Sequence, residues 1–77
     1  MEEKPLSIAQ AFAVTNIEII IEDFVYNSES KFKKILEIVN ENKIMENKEI
    51  MNYIYERLFR RGYLEYADKF AKNYNFK

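Results

Sequence analysis

Apolar residues recur along this chain at three- and four-residue intervals in four separate runs, each long enough for a helix. In the first, Ala9, Phe12, Ala13, Ile17, Ile20, Ile21 and Phe24 keep that spacing. Ser7 and Gln10 stand ahead of them as a capping box, and Leu6 with Ala11 as the hydrophobic staple, so the pattern predicts a helix over 7–26. Thr15 with Glu18 offers a second capping box, which would place a break or kink near 14–16. The β-branched run from Ile17 also invites a strand. A strand would group Ile17, Ile19 and Ile21 but bring Asp23 onto the same face, and it would have no evident partner. A helix groups Ile17, Ile20, Ile21 and Phe24 and leaves Glu18 and Glu22 outside, and it is the preferred reading.

Asn27 or Ser28 is the next N-cap. It opens a helix over 29–41 with Phe32, Ile35, Leu36 and Val39 on one face. Lys31, Lys33 and Lys34 sit at its start, against the helix dipole, and read as a solvated face. Residues 40–47 form a polar connection whose Ile44 and Met45 fold in over the end of the bundle. Asn47 caps a third helix, 48–61, with Ile50, Met51, Ile54, Tyr55 and Leu58 in line. Glu49 in its first turn and Arg57, Arg60 and Arg61 in its last follow the dipole. The fourth, 63–74, carries Tyr63, Ala67, Phe70, Ala71 and Tyr74. Between the last two lies Gly62, the only glycine. As the C′ residue of a Schellman cap it would pair Tyr63 with Leu58 and fold the two helices into a hairpin. The expected fold is all-α, a small bundle of about four helices forming one domain, with residues 1–5 disordered. Phe12, Ile20, Phe24, Phe32, Leu36, Ile54, Leu58, Ala67 and Phe70 are expected in its core. Residue matches between the two halves are too poor to indicate an internal repeat.

Ile54, Leu58, Gly62, Tyr63, Ala67 and Phe70 together resemble the LisH motif, a short helix followed by Gly-Tyr and then Ala and Phe on a second helix. The resemblance covers about 25 residues within 50–74. Arg57 stands where that motif usually has an aromatic residue, and Tyr66 where it usually has Thr. LisH is an α-helical dimerisation module, so the resemblance implies self-association through these apolar positions.

Composition narrows the chemistry. A chain of 77 residues buries only about 60% of its unfolded surface. With no Cys it has neither a disulfide nor a thiolate metal site, and with no His it lacks the commonest general base and metal ligand. Catalytic triads and zinc-hydrolase sites are excluded. Glu18, Glu22 and Asp23 cluster, but di-metal bundles need Glu-x-x-His pairs. No enzyme activity and no cofactor is expected. Residues 17–26, the most apolar stretch, are broken by three acids and cannot span a bilayer. The first residues lack the pattern of a signal peptide. The expected compartment is the cytoplasm.

The aromatic share is 16%, with six Phe and six Tyr, much for so short a chain to hide. Tyr and Arg dominate interface hot spots, so Tyr53, Arg57, Arg60, Arg61, Tyr63 and Tyr66 are the candidate partner-binding residues. Equally, these tyrosines can finish the core with hydroxyls at the surface. The leading reading is a non-catalytic protein–protein interaction module, either a homodimer or a regulator docked on a larger protein. Residues 1–47 carry five Lys and nine acids and residues 48–77 seven Lys or Arg and four acids, a split that suits pairing of two copies. The alternative is a helix-turn-helix nucleic-acid binder using Arg57, Arg60, Arg61, Lys69 and Lys72. Glu65, Asp68 and the net charge of −1 count against it.

Overall fold

A computed structural model of the chain describes residues 6–23 and 27–75. The described residues form four α-helices, α1 (Ile8–Glu22), α2 (Ser28–Glu41), α3 (Lys48–Arg60) and α4 (Leu64–Tyr74). A 3-10 turn, Ile44–Glu46, lies between α2 and α3. The all-α bundle is as the periodicity predicts.

Local chemistry sets the helix starts. Ser7 accepts from the Gln10 backbone N–H at 3.0 Å while the Gln10 side chain accepts from the Ser7 N–H at 3.1 Å, a complete capping box. Asn27 caps α2 through Ser30 N–H, and Asn47 caps α3 through Ile50 N–H. The turn after α3 is a Schellman cap: Tyr63 N–H donates to Leu58 C=O and Gly62 N–H to Phe59 C=O, with Gly62 at φ +86°. α1 runs without a break. Thr15 Oγ1 donates to the Ala11 carbonyl one turn back, so Thr15 sits inside the helix and opens no second one. The helix stops at Glu22, with Asp23 as C-cap. Its expected continuation to 26, and Phe24 in the core, lie outside the described residues, as do residues 1–5.

Long-range pairs keep a nearly constant separation. Tyr53 meets Glu18 and Arg57 meets Glu22, each 35 residues apart, while Tyr74 meets Asn40 at 34. The rings of Phe32 and Tyr66, also 34 apart in number, lie 5.2 Å from each other. α3 therefore runs parallel to α1, and α4 parallel to α2. The molecule is two successive helical hairpins laid side by side, a repetition of architecture with little repetition of sequence.

Ala13, Ile17 and Ile21 of α1, Ile35 and Val39 of α2, Ile44, then Met51, Ile54 and Leu58 of α3 and Ala67 and Phe70 of α4 make one buried cluster. Ile54, Leu58, Ala67 and Phe70 are in the core as expected, and Ile44 closes the end with Met45 half-buried beside it. Ile20, Phe32 and Leu36 are half-buried at its margin. Phe12 departs from expectation: it is 67% exposed. α1 turns inward its i, i+4, i+8 line of Ala13, Ile17 and Ile21, and Phe12 lies about 100° away from Ala13 around the helix. Lys31 departs as well. Of the three lysines read as a solvated face, Lys33 is exposed but Lys31 is only 6% exposed. Its Nζ donates to the Ile21 carbonyl at the end of α1 and to the Tyr63 phenol.

Candidate interaction surface

The six residues singled out in the sequence lie along α3 and the start of α4, and the fold uses most of them internally. Tyr53 Oη donates to Glu18 at 2.7 Å. Glu22 takes both guanidinium groups, Arg61 at 3.1 Å and Arg57 at 3.4 Å. Tyr63 accepts from Lys31 at 2.7 Å, and Tyr66 packs on Phe32. Nζ of Lys31 is 4.9 Å from the centre of the Tyr63 ring, the separation expected of an ammonium bonded to the phenol rim and not of one stacked on the face. Arg60 is exposed beside Phe59. These contacts stitch α3 to α1 and α4 to α2. The exposed ion pairs contribute little each, about 1 kcal/mol or less.

The same pairing quiets the basic patch. Lys69 bridges Glu65 at 3.2 Å and Lys72 bridges Asp68 at 3.1 Å. With Arg57 and Arg61 sharing Glu22, four of the five cations of the nucleic-acid reading touch three carboxylates of their own chain.

The apolar surface left to solvent is elsewhere. Ile8 is 79% exposed and Ile19 58%, and with Phe12 they form one stripe along the outer side of α1. Ala9, Ala11, Thr15 and Asn16 fill the rest of that side and are also exposed. From Ile8 to Ile17 there is no charged residue. A surface helix normally turns charge outward, and the other three do. α2 exposes Glu29, Lys33 and Glu37, α3 exposes Glu49, Glu56 and Arg60, and α4 exposes Glu65, Asp68 and Lys72. α1 alone has an apolar face on both sides, one in the core and one outside. Below the stripe an open depression of 530 Å³ is lined by Thr15, Glu18, Ile19, Glu22 and Asp23. A smaller apolar patch, Phe59 and Leu64, flanks the Gly62 elbow.

The chain matches no protein-family model, no curated protein and no solved structure. The geometry must therefore carry the functional reading. Among the described residues no helix is long and apolar enough to cross a membrane, and no group of three or more Asp or Glu is placed to hold a metal ion. Reading by residue type missed Ile8 and Ile19 as surface anchors and assigned Phe12 to the core. The signal was available in the ten uncharged residues that open α1, which leave its first turns without a charged side.

Proposed function

We propose that this protein is a non-catalytic α-helical interaction module that docks on a protein partner through the outer face of α1. One observation carries the reading: a three-turn exposed helix face holding Ile8, Phe12 and Ile19 and uncharged from Ile8 to Ile17. Leaving such a face in water forgoes about 1.5–3 kcal/mol for each large side chain that a partner would bury. A contiguous exposed apolar patch on a small monomer marks an interaction site. An anionic membrane is a poorer occupant, because amphipathic membrane helices line their margin with Lys and Arg. This face has none, and Glu18 and Glu22 border it. The Tyr53, Arg57, Arg61, Tyr63 and Tyr66 cluster then acts as the scaffold that holds α1 in place, with Arg60 and Phe59 as a secondary contact at the elbow.

The test is a photo-reactive benzoylphenylalanine at position 12, irradiated in the cell that makes the protein. A discrete cross-linked adduct, lost when the probe is moved to exposed Glu37 of α2, is expected. Equal or absent adducts at both positions would refute the module reading.

A further inference from the structure

The stripe on α1 has a symmetry that selects its occupant. Ile8, Phe12, Thr15 and Ile19 are separated by four, three and four residues. That spacing reads the same in both directions. Two copies of α1 laid antiparallel about the point between residues 13 and 14 bring Ile8 of each against Ile19 of the other. The same alignment sets each Phe12 against the small side chain of Thr15. An isologous interface must be self-complementary in this way. Large side chains alternating with Ala11 and Thr15 also let two helix backbones approach closely.

Charge agrees with that direction. α1 has no acidic residue in its first turn, so the N-terminal end of its dipole is not matched by charge, whereas Lys31 meets the C-terminal end at the Ile21 carbonyl. Its acids, Glu18 and Glu22, lie at the C-terminal end of the stripe. Antiparallel pairing carries them to the first turn of the other copy, where the free N–H groups favour negative charge. Within each copy Glu22 is already bonded to Arg57 and Arg61 and Glu18 to Tyr53, so the direction rests chiefly on the spacing. The area is adequate and modest. The crossing of two such faces buries roughly 1,000 Å² in total, in the range of weak, reversible interfaces.

We infer that the outer face of α1 is the site of a two-fold homodimer in which the α1 helices of two copies pack antiparallel, Ile8 against Ile19 and Phe12 against Thr15. The inference rests on the reading of the protein as an interaction module and names its partner as a second copy of the chain.

Sedimentation velocity over a wide concentration range is the first measurement. The wild-type chain is expected to show a reversible monomer–dimer equilibrium. Phe12→Glu should weaken it about 100-fold or more, because each dimer loses two rings from its centre. Ile19→Lys should act in the same direction. Both side chains are exposed in the monomer, so far-UV circular dichroism and the melting temperature of dilute samples should stay unchanged. The second measurement uses the absence of cysteine from the sequence. Ile8→Cys and Ile19→Cys are made separately and oxidised alone and mixed. The mixture should form a disulfide-linked heterodimer and neither variant alone should. Linkage of Ile8→Cys to itself would show a parallel pair and overturn the inference. So would a dimer that Phe12→Glu leaves intact, which places self-association on another face such as Phe59 and Leu64. A strictly monomeric wild type overturns it too. If the probe at position 12 then still yields an adduct with a different protein, self-pairing alone has failed; if it yields none, the module reading has failed with it.

Discussion

The ammonium of Lys31 and the phenol of Tyr63 meet at 2.7 Å, joining the first hairpin to the elbow of the second. The same ammonium donates to the Ile21 carbonyl at 2.9 Å, one of the carbonyls that the end of α1 leaves without an intrahelical partner. One buried side chain therefore ties α1, α2 and the start of α4. A buried charge left short of an acceptor costs more than the bond itself contributes. Tyr63→Phe is accordingly expected to destabilise the protein by about 1–2 kcal/mol in urea titrations. In a Lys31→Met background the same change should cost less than half as much, since the unmet donor is gone. Equal costs in both backgrounds would show that the two groups are not coupled.

The two faces of α1 should respond oppositely to truncation. Ile17 is fully enclosed, and Ile17→Ala removes buried methylene groups from a packed site at a cost of about 2–5 kcal/mol. In a domain this small each kcal/mol lowers the melting temperature by about 4–8 °C. Phe12→Ala, the larger change in volume, should alter the stability of the dilute monomer by no more than about 0.5 kcal/mol. Thermal melts of the two variants at low concentration decide it. A loss from Phe12→Ala matching that from Ile17→Ala would mean the helix faces the other way.

These two cases mark how far the sequence alone could be read. Helix starts and the hairpin elbow were legible because Ser7, Asn27, Asn47 and Gly62 act on backbone groups within three or four residues. The orientation of α1 was legible only in part. The spacing put Ile17 and Ile21 inward and Glu18 and Glu22 outside. Phe12 was misplaced because the uncharged first turns carry apolar residues on both sides and let the neighbours choose the inward face. Glu22 fixes that choice by reaching Arg57 and Arg61 on α3. The burial of Lys31 was illegible for a related reason, since one of its acceptors lies 32 residues away. At the candidate surface, residue type marked Tyr53, Arg57 and Arg61 as groups needing partners and expected those partners on another molecule. They proved to be Glu18 and Glu22 of the same chain, and the face left over was the one whose alanines, threonine and isoleucines carry no hot-spot signature.

Alkaline pH probes the contacts between the hairpins. Tyr53 holds its proton above the ordinary value of 10.0, chiefly because it donates to Glu18, with burial and the Glu18 charge adding and Arg57 opposing. Tyr74 is raised by burial, partly offset by the Asn73 side chain. A folded-state value above the unfolded one means that folding favours the protonated phenol. Its contribution is complete below about pH 10 and is lost as pH climbs through the folded value. The urea midpoint should therefore fall between about pH 10 and 12 more steeply in the wild type than in a Tyr53→Phe, Tyr74→Phe double variant. Parallel slopes would show that neither phenol is held more tightly in the folded chain.

Gly62 separates backbone strain from crowding. Its φ is +86°, and a methyl group added there would meet no atom within 4 Å. Any penalty for a side chain must then come from the left-handed conformation, which costs an L-residue roughly 1–2 kcal/mol. Gly62→Ala should destabilise by that amount and Gly62→Asn by less, since asparagine tolerates the conformation better. Chemical synthesis of the 77-residue chain allows the complementary change to D-alanine. D-alanine prefers positive φ and restricts the unfolded chain more than glycine does, so it should stabilise the protein by about 0.4–1 kcal/mol. The Schellman bonds from Gly62 and Tyr63 would be kept in that variant, and α3 and α4 would stay folded on each other. If D-alanine proved as harmful as L-alanine, the elbow would be limited by space, and the open surroundings of Gly62 would be wrong.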